Sequence, residues 1–347
     1  MKNIYGLTLE KLTEEMLSLE QKSFRAKQLF SWLYVKNATS FDEMSDISLK
    51  FREVLKEKYS IEKPKLFLKQ KSIDGTTKLL LEMRDGEKIE TVLMPYNYGN
   101  AICISTQVGC NMGCKFCASG LLKRKRNLST EELVGQVLIL NDVLRENNQN
   151  PVTHVVVMGT GEPFDNYDNV IDFIRIINSQ FGLAIGARHI TVSTSGIVPG
   201  ILKYGKEGLQ INLAVSLHAP TNQLRDIIMP INKAYPLEQL IPAIVQYGKD
   251  SNGRRVTYEY IMIQDFNDSE ECADKLIELI KPTFGYVNLI PYNRVIENDF
   301  YRSSNNRIHR FHDKLLKAGI KATIRKEFGA DIDAACGQLR AKYANKN

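Results

Sequence analysis

The sequence has no long apolar run. Nothing in it approaches the roughly 18–20 consecutive apolar residues that span a bilayer. Its first stretch, Met1 to Leu12, mixes Lys2, Asn3, Glu10 and Lys11 among the apolar positions. A secretory leader needs an unbroken apolar segment, so the expected compartment is the cytoplasm, with no membrane partner. Six cysteines in 347 residues are too few for a disulfide scaffold. Internal repeats and low-complexity tracts are missing as well. Neither sign of charge dominates: 46 Lys plus Arg against 40 Asp plus Glu leave a net charge of +6. That permits an RNA or phosphate-bearing partner without requiring one. What remains is ordinary globular composition, 43% hydrophobic and 25% charged, which excludes disordered, collagen-like and coiled-coil chains. At about 150 residues per domain, the length suits two domains, or one large α/β domain with an appendage.

The placement of the cysteines says more than their number. Cys103, Cys110, Cys114 and Cys117 share one short stretch, Cys272 lies alone and Cys336 lies near the end. In a reducing compartment such a cluster reads as metal-binding or catalytic. Around it the pattern of elements is legible. Residues 1–64 show helical spacing, with Leu9, Leu12, Met16 and Leu19, then Phe30, Leu33 and Tyr34, and predict a small amphipathic helical domain. Residues 65–95 alternate and carry turn signals at Asp74-Gly75 and Asp85-Gly86, predicting a β-rich, hairpin-like linker. From 96 to about 330, short β-rich runs alternate with helical ones. The strands are expected at 101–106, 153–158, 189–193, 211–217, 256–263, 286–291 and 321–324. The helices are expected at 130–144, 167–179, 237–249, 269–280 and 305–317. Repeated strand–helix order implies parallel strands with right-handed crossovers, and six or seven units fit a partial (β/α) barrel. Chemistry in such barrels collects at the C-terminal ends of the strands. Residues 331–347 form a tail.

The candidate motifs fall at those strand ends. Cys110, Cys114 and Cys117 follow the first barrel strand, spaced by three and then two residues. Thiolates are soft ligands that suit iron–sulfur clusters or zinc. Structural zinc usually takes four ligands, so three in a tight loop suggest a cubane cluster with one iron left open. A zinc site completed by Cys103 or a histidine is the rival. Met158-Gly159-Thr160-Gly161-Glu162-Pro163 closes the second strand. Its glycines would let a ligand approach the backbone, and Glu162 could bind an ammonium group, although a plain βα turn would look the same. Ser193 ends the third strand, Ser216, Leu217 and His218 the fourth, and Asn293 follows a later one; small polar groups on successive strands look like a ring around one ligand.

Cys336, in a tail rich in Gly, Ala and Asp, reads as a thiol outside any core, in flexible surroundings. The run Lys123-Arg124-Lys125-Arg126 and the later Arg302, Arg307, Arg310, Lys314, Arg325, Lys326, Arg340 and Lys342 form either solvated faces or a grip on phosphates. Tyr292, Phe300 and Tyr301 are core residues or base-stacking ones. His154, His189, His309 and His312 show no ligand spacing.

The cysteine motif followed by Gly161-Glu162 resembles the radical S-adenosylmethionine (SAM) superfamily. The segments Cys103–Cys110, Met158–Pro163, Ser216–Pro220 and Asp331–Leu339 are similar to its family of dual-specificity ribosomal and transfer RNA adenine-carbon-2 methyltransferases, and the similarity extends over nearly the whole chain. Thr160 departs from the Met that this family often has there. The resemblance implies a radical SAM core with an N-terminal helical accessory domain that binds RNA. It implies a 4Fe–4S cluster on Cys110, Cys114 and Cys117, and SAM contacts at Gly161, Glu162, Ser193, Ser216, Leu217, His218 and Asn293. Two SAM molecules would be used per turnover. The first would methylate Cys336. The second would be cleaved to a 5′-deoxyadenosyl radical that activates that methyl for addition to adenine carbon 2. Cys103 would then attack Cys336 to form a disulfide and release the product, with Glu90 as proton acceptor. Cys272 would be structural.

Implied partners are 23S rRNA at the peptidyl transferase centre, the tRNA anticodon loop, and an electron donor such as flavodoxin or ferredoxin, with the enzyme a cytoplasmic monomer. The target base would leave its stack to reach the barrel mouth. The nearest alternative is the related carbon-8 rRNA adenine methyltransferase that confers antibiotic resistance. Pro163 favours carbon 2, since the carbon-8 enzyme tends to have Ala there. A non-catalytic zinc-bearing RNA-binding protein is the alternative from another class; it would be colourless where an iron–sulfur protein is brown, and it leaves Cys103, Cys336 and Gly161-Glu162 without a role.

Overall fold

A computed structural model of the chain describes residues 1–283 and 285–339. Arg340 and Lys342 lie outside the described residues, as does the end of the tail. The N-terminal helices are α1 (Leu9–Ser18), α2 (Phe24–Phe30), continued by a π-helical turn to Val35, and α3 (Leu49–Lys58). Thr8 caps α1 by accepting from the Lys11 N–H, satisfying one of the donors a helix start leaves open. The apolar stripes of this unit do not form a separate core. Leu12, Met16, Leu29, Phe30 and Leu55 belong to the same apolar cluster as the barrel helices. Lys63 and Asn37 both bond Asp142, at 2.7 and 3.0 Å, which fixes the unit against the barrel side.

Ten strands form one mixed sheet. Four run as an antiparallel meander: β1 (Lys65–Lys71), β2 (Thr77–Glu82), β3 (Lys88–Tyr96) and β4 (Gly99–Cys103). The turns at Asp74-Gly75 and Asp85-Gly86 are where the sequence expects them. The segment read as a linker is thus continuous with the sheet of the core. From β4 onward pairing is parallel, through β5 (Val152–Val157), β6 (Ile190–Thr194), β7 (Asn212–Ser216), β8 (Val256–Met262), β9 (Tyr286–Pro291) and β10 (Ala322–Ile324). The crossovers carry α4 (Thr130–Glu146), α5 (Tyr167–Asn178), α6 (Val198–Gly205), α7 (Asn222–Ile228) with α8 (Leu237–Asp250), α9 (Glu270–Ile280) and α10 (Asn305–Lys317). Strands β10 and β1 are the two edges, so the barrel is incomplete, as expected of a partial (β/α) barrel.

Period-two alternation along the parallel strands decides what faces the barrel interior. Leu213 and Val215, Tyr258 and Tyr260, and Val287 and Leu289 pack in the main apolar cluster with the helices. Their neighbours Ser216, Glu259, Asn288 and Ile290 point the other way. The ends of the strands therefore present polar groups inward while the outer faces hold the fold together.

Two helices escaped the sequence reading. α6 begins with Val198-Pro199-Gly200, where Pro fits the first turn; Gly200 is needed because a Cβ there would lie 2.6 Å from Phe164. α7 is only 7 residues long and too short to show a period. Cys272 is buried in the core on α9, consistent with a structural role. The tail departs from expectation most. Phe328, Ala334, Ala335 and Leu339 are buried, and the segment is packed against the sheet rather than loose.

Candidate active site

The loop after β4 carries Cys110, Cys114 and Cys117. It is held by short backbone bonds: Cys110 N–H to Leu122 O at 2.8 Å, Lys115 N–H to Ile228 O at 3.0 Å at the end of α7, and Ala118 N–H to Gly337 O at 2.7 Å. The last contact joins the loop to the tail. All three cysteines line one cavity together with Gly161, Glu162, Ser193, Ser195, Ser216, His218 and Cys336. Among the described residues no three His, Cys, Asp or Glu side chains converge as the ligands of a single ion would. A cubane takes one thiolate on each of three irons, and three thiols around one cavity fit that demand. Burial pushes the Cys110 thiol up to about 11 and Cys114 well above the usual thiol range, with the neighbouring cysteines adding to both. Ligand binding to a cluster would draw those protons off.

Glu162 sits at the end of the β5 turn with its carboxylate buried. Phe164 N–H donates to one oxygen at 3.0 Å and Ser195 N–H to the other at 2.7 Å. Burial raises its pKa while these donors oppose the rise. Pro163 opens a 3-10 turn for which Glu162 is the cap. Gly161 has φ +114° and a Cβ would fall 2.6 Å from Thr106 Oγ1, so no side chain fits. His218 is also left-handed, at φ 57°. Its Nδ1 accepts from Ile261 N–H at 3.1 Å, which leaves Nε2 as the donor. Burial, reinforced by Arg225, pushes the imidazole down to about 3, and it is neutral at physiological pH.

A second cavity lies beside the first. Cys103, Cys117, Asn293, Arg325, Phe328, Cys336 and Gly337 line it with Met94 and Met158. Cys336 lines both cavities, and Asn293 Nδ2 donates to its carbonyl at 3.2 Å. Burial pushes Cys103 up to about 12. Cys336 is solvent-accessible at the cavity mouth; desolvation on its protein side raises its thiol, and Arg325 opposes the rise. Cys103 and Cys336 are both free thiols.

Two of the sequence-derived residues line neither cavity. Leu217 is fully buried in the main apolar cluster, with its N–H on Glu259 O and its carbonyl receiving Arg225. Glu90 is buried on β3, on the strand face that carries Val92 and Met94, and pairs with Lys78 at 3.3 Å. Lys78 also donates to Asp333 O at 3.2 Å, tying the strand to the tail.

The fold shows the surroundings of two sets of basic residues. Of the run at 123–126, Arg124 pairs with Asp165 at 3.1 Å, Lys125 with Glu87 at 2.8 Å, and Arg126 with Asp85 at 2.6 Å and Glu132 at 2.7 Å. These are surface pairs, with Lys125 exposed and Arg124 and Arg126 half-buried. Arg325 is no surface cation: it faces the interior from just beyond β10, 3.7 Å from Glu259 and 3.7 Å from Met158 Sδ. Tyr292 is buried, its hydroxyl donating to Asn298 at 2.8 Å, and Tyr301 is exposed against Arg294. His154 and His189 stack with centroids 4.1 Å apart. Glu259, Arg225 and Lys78 were missed, because single charged residues inside strands and short helices carry no spacing signal.

Comparison with known proteins places the chain in a family. Residues 104–280 match the radical SAM superfamily, and residues 2–61 match the N-terminal domain of ribosomal RNA large subunit methyltransferases. A protein of Spiroplasma citri named as a probable dual-specificity RNA methyltransferase RlmN is 53% identical, over 99% of this chain and 98% of its own. One of the same name from Enterococcus faecalis is 52% identical, over 99% and 97%. The crystal structure of a radical SAM methyltransferase from Sphaerobacter thermophilus superposes with a TM-score of 0.92 at 41% identity, covering 99% of this chain and all of that one. Over its whole length, the chain with these two adjoining cavities belongs to the RlmN family of radical SAM enzymes.

Proposed function

We propose that the chain methylates carbon 2 of an adenosine in 23S rRNA, at the peptidyl transferase centre, and of an adenosine in the tRNA anticodon loop, with Cys336 as the carrier of the methyl group. The observation that carries this reading is the position of Cys336. It faces the cavity of the three loop cysteines on one side and the cavity of Cys103 on the other.

Cys110, Cys114 and Cys117 would hold a 4Fe–4S cluster, which supplies, when bound, the electron that cleaves SAM to a 5′-deoxyadenosyl radical. Gly161 offers backbone without a Cβ, and Glu162, Ser193, Ser216 and His218 offer polar groups to SAM from the ends of β5, β6 and β7. Asn293 reaches the same region through its bond to the Cys336 carbonyl. Leu217 contributes by position, as the buried link between Ser216 and His218.

Cys336 first takes the methyl group of one SAM by nucleophilic displacement. A sulfur–carbon bond forms on the cysteine, the sulfonium bond breaks, and S-adenosylhomocysteine leaves. Arg325 supplies the positive charge that favours the thiolate nucleophile. Loss of a hydrogen atom from that methyl leaves a methylene radical on Cys336. Such a radical can add to the electron-poor carbon 2, where a polar methyl transfer would stall. The adduct then gives up one electron, returned to the external donor chain, and the carbon-2 proton, which passes to Glu90. Cys103 attacks the Cys336 sulfur: the disulfide forms, the sulfur–carbon bond breaks, and the freed carbon takes a proton to become the product methyl. A low-potential donor such as flavodoxin or ferredoxin would supply the electrons. The N-terminal helices are the RNA-binding accessory unit of this scheme, acting in a cytoplasmic monomer. Among the described residues no helix is long and apolar enough to cross a membrane.

The test is the covalent intermediate. After anaerobic incubation with SAM and reductant, peptide mass spectrometry is expected to find a methyl group on Cys336. Cys336→Ala is expected to abolish RNA methylation. RNA methylation by that variant at the unaltered rate would end the proposal.

A further inference from the structure

Arg225 is the largest fully buried side chain among the described residues, with no exposed surface. It lies on α7, the helix whose terminal carbonyl, Ile228 O, receives the N–H of Lys115 next to Cys114. Its guanidinium donates to four acceptors: Ser195 O at 2.7 Å, Ser216 O at 3.2 Å, Leu217 O at 3.2 Å and Asn232 Oδ1 at 2.7 Å. All four are neutral. Among the described residues no carboxylate stands within ion-pair distance of it. Its chain neighbour Asp226 is exposed and accepts from Asn232 instead, at 2.7 Å.

A buried cation without a counter-charge is costly, because carbonyl dipoles replace only part of its hydration. The group cannot escape by losing its proton at neutral pH. Burial pushes its pKa down only to about 10. Two of the carbonyls it holds belong to Ser195 and Ser216, which line the cavity of Cys110, Cys114 and Cys117. The buried charge therefore stands directly behind the wall of that cavity.

We propose that Arg225 is the internal counter-charge of the cysteine-bound cluster and a positioning residue for the SAM rim, one side chain that couples the cluster's charge to the ends of β6 and β7. The inference rests on the cluster reading given above. A cluster held by three thiolates is anionic, and one-electron reduction by an external low-potential donor adds another negative charge to it. A fixed cation nearby stabilises the reduced form more than the oxidised one. The same cation holds the carbonyls of Ser195, Ser216 and Leu217, so cluster uptake and strand-end order reinforce each other.

The test uses full-length protein reconstituted anaerobically with iron and sulfide, as wild type, Arg225→Gln and Arg225→Lys. Iron and sulfide are quantified, and the midpoint of the cluster is read by an electron paramagnetic resonance titration with dithionite and mediators. Gln keeps a donor but removes the charge; Lys keeps the charge but cannot make all four bonds. The proposal expects a more negative midpoint in Arg225→Gln and a midpoint near wild type in Arg225→Lys. Loss of iron from the Gln variant alone would support it equally. An unshifted midpoint in Arg225→Gln at full iron content would overturn it. So would equal failure of both variants to hold iron, which would make Arg225 a hydrogen-bond clamp only. Absence of a reducible cluster in the wild type would instead overturn the cluster reading itself.

Discussion

His218 is held neutral by its surroundings, and this gives the fold a pH dependence of definite sign. The folded imidazole titrates near 3, whereas an unfolded histidine titrates at about 6.5. As pH falls through about 6.5 the unfolded chain takes up a proton that the folded chain refuses until about pH 3. Stability is therefore expected to decline across that window. Urea unfolding at pH 7 and pH 5 should show a smaller loss for His218→Gln than for wild type. Equal losses would contradict the neutral, buried assignment. Arg325 sets a second expectation. It opposes the upward push on the Cys336 thiol, because a nearby positive charge favours the thiolate. Alkylation of Cys336 at neutral pH should slow several-fold in Arg325→Met. Cys103, pushed up to about 12, should react more slowly than Cys336 in the wild type and speed up steadily with alkali.

At the scale of elements, the tail and the β1–β2 turn act on each other. Gly329 N–H donates to Asp74 at 2.9 Å, and Ser72 Oγ and Ile73 N–H donate to Asp331. Burial tends to raise Asp74, but its donors, Gly329 N–H foremost, outweigh it and bring the carboxyl down to about 2. Ser119 Oγ to Leu339 O, at 2.7 Å, closes the clamp from the cysteine loop. Hydrogen bonds to a charged group contribute about 1.5–3 kcal/mol each. Asp331→Ala is therefore expected to raise amide hydrogen exchange over residues 328–339 by roughly tenfold or more, leaving α4 and α5 unchanged. Unaltered exchange in the tail would mean that the clamp does not hold it.

This clamp was not legible in the sequence. A segment of Gly, Ala and Asp has no periodicity, and its order comes from partners some 250 residues away in the chain, |i−j| 255 for Gly329 with Asp74. By contrast the parallel strands were legible to within a few residues, since β-rich runs and helical runs differ in period. The helix α4, expected at 130–144, is found at Thr130–Glu146, its start closed by a capping box of Ser129 and Glu132.

For the whole molecule, the decisive arrangement is the meeting of three distant stretches at one end of the barrel. These are the cysteine loop after β4, the strand ends from Glu162 to His218, and the tail with Cys336. Each was visible as a motif in the sequence. Their meeting is a property of the sheet order, which brings the ends of β4 through β9 to one side. The interior charges Glu259, Arg225 and Arg325 could not be foreseen, because a lone Arg or Glu in a sequence reads as surface. Arg124, Lys125 and Arg126 pair with acidic neighbours at the surface, a contact between segments distant in the sequence that the basic run alone does not show.

The carbon that receives the methyl group distinguishes the proposed reaction from its nearest alternative. It is read by nucleoside mass spectrometry of unmodified 23S rRNA after anaerobic reaction with reconstituted enzyme, SAM and a reductant. The expected product is 2-methyladenosine. Formation of 8-methyladenosine in its place would contradict the proposal, leaving the radical SAM family intact but overturning the choice of carbon.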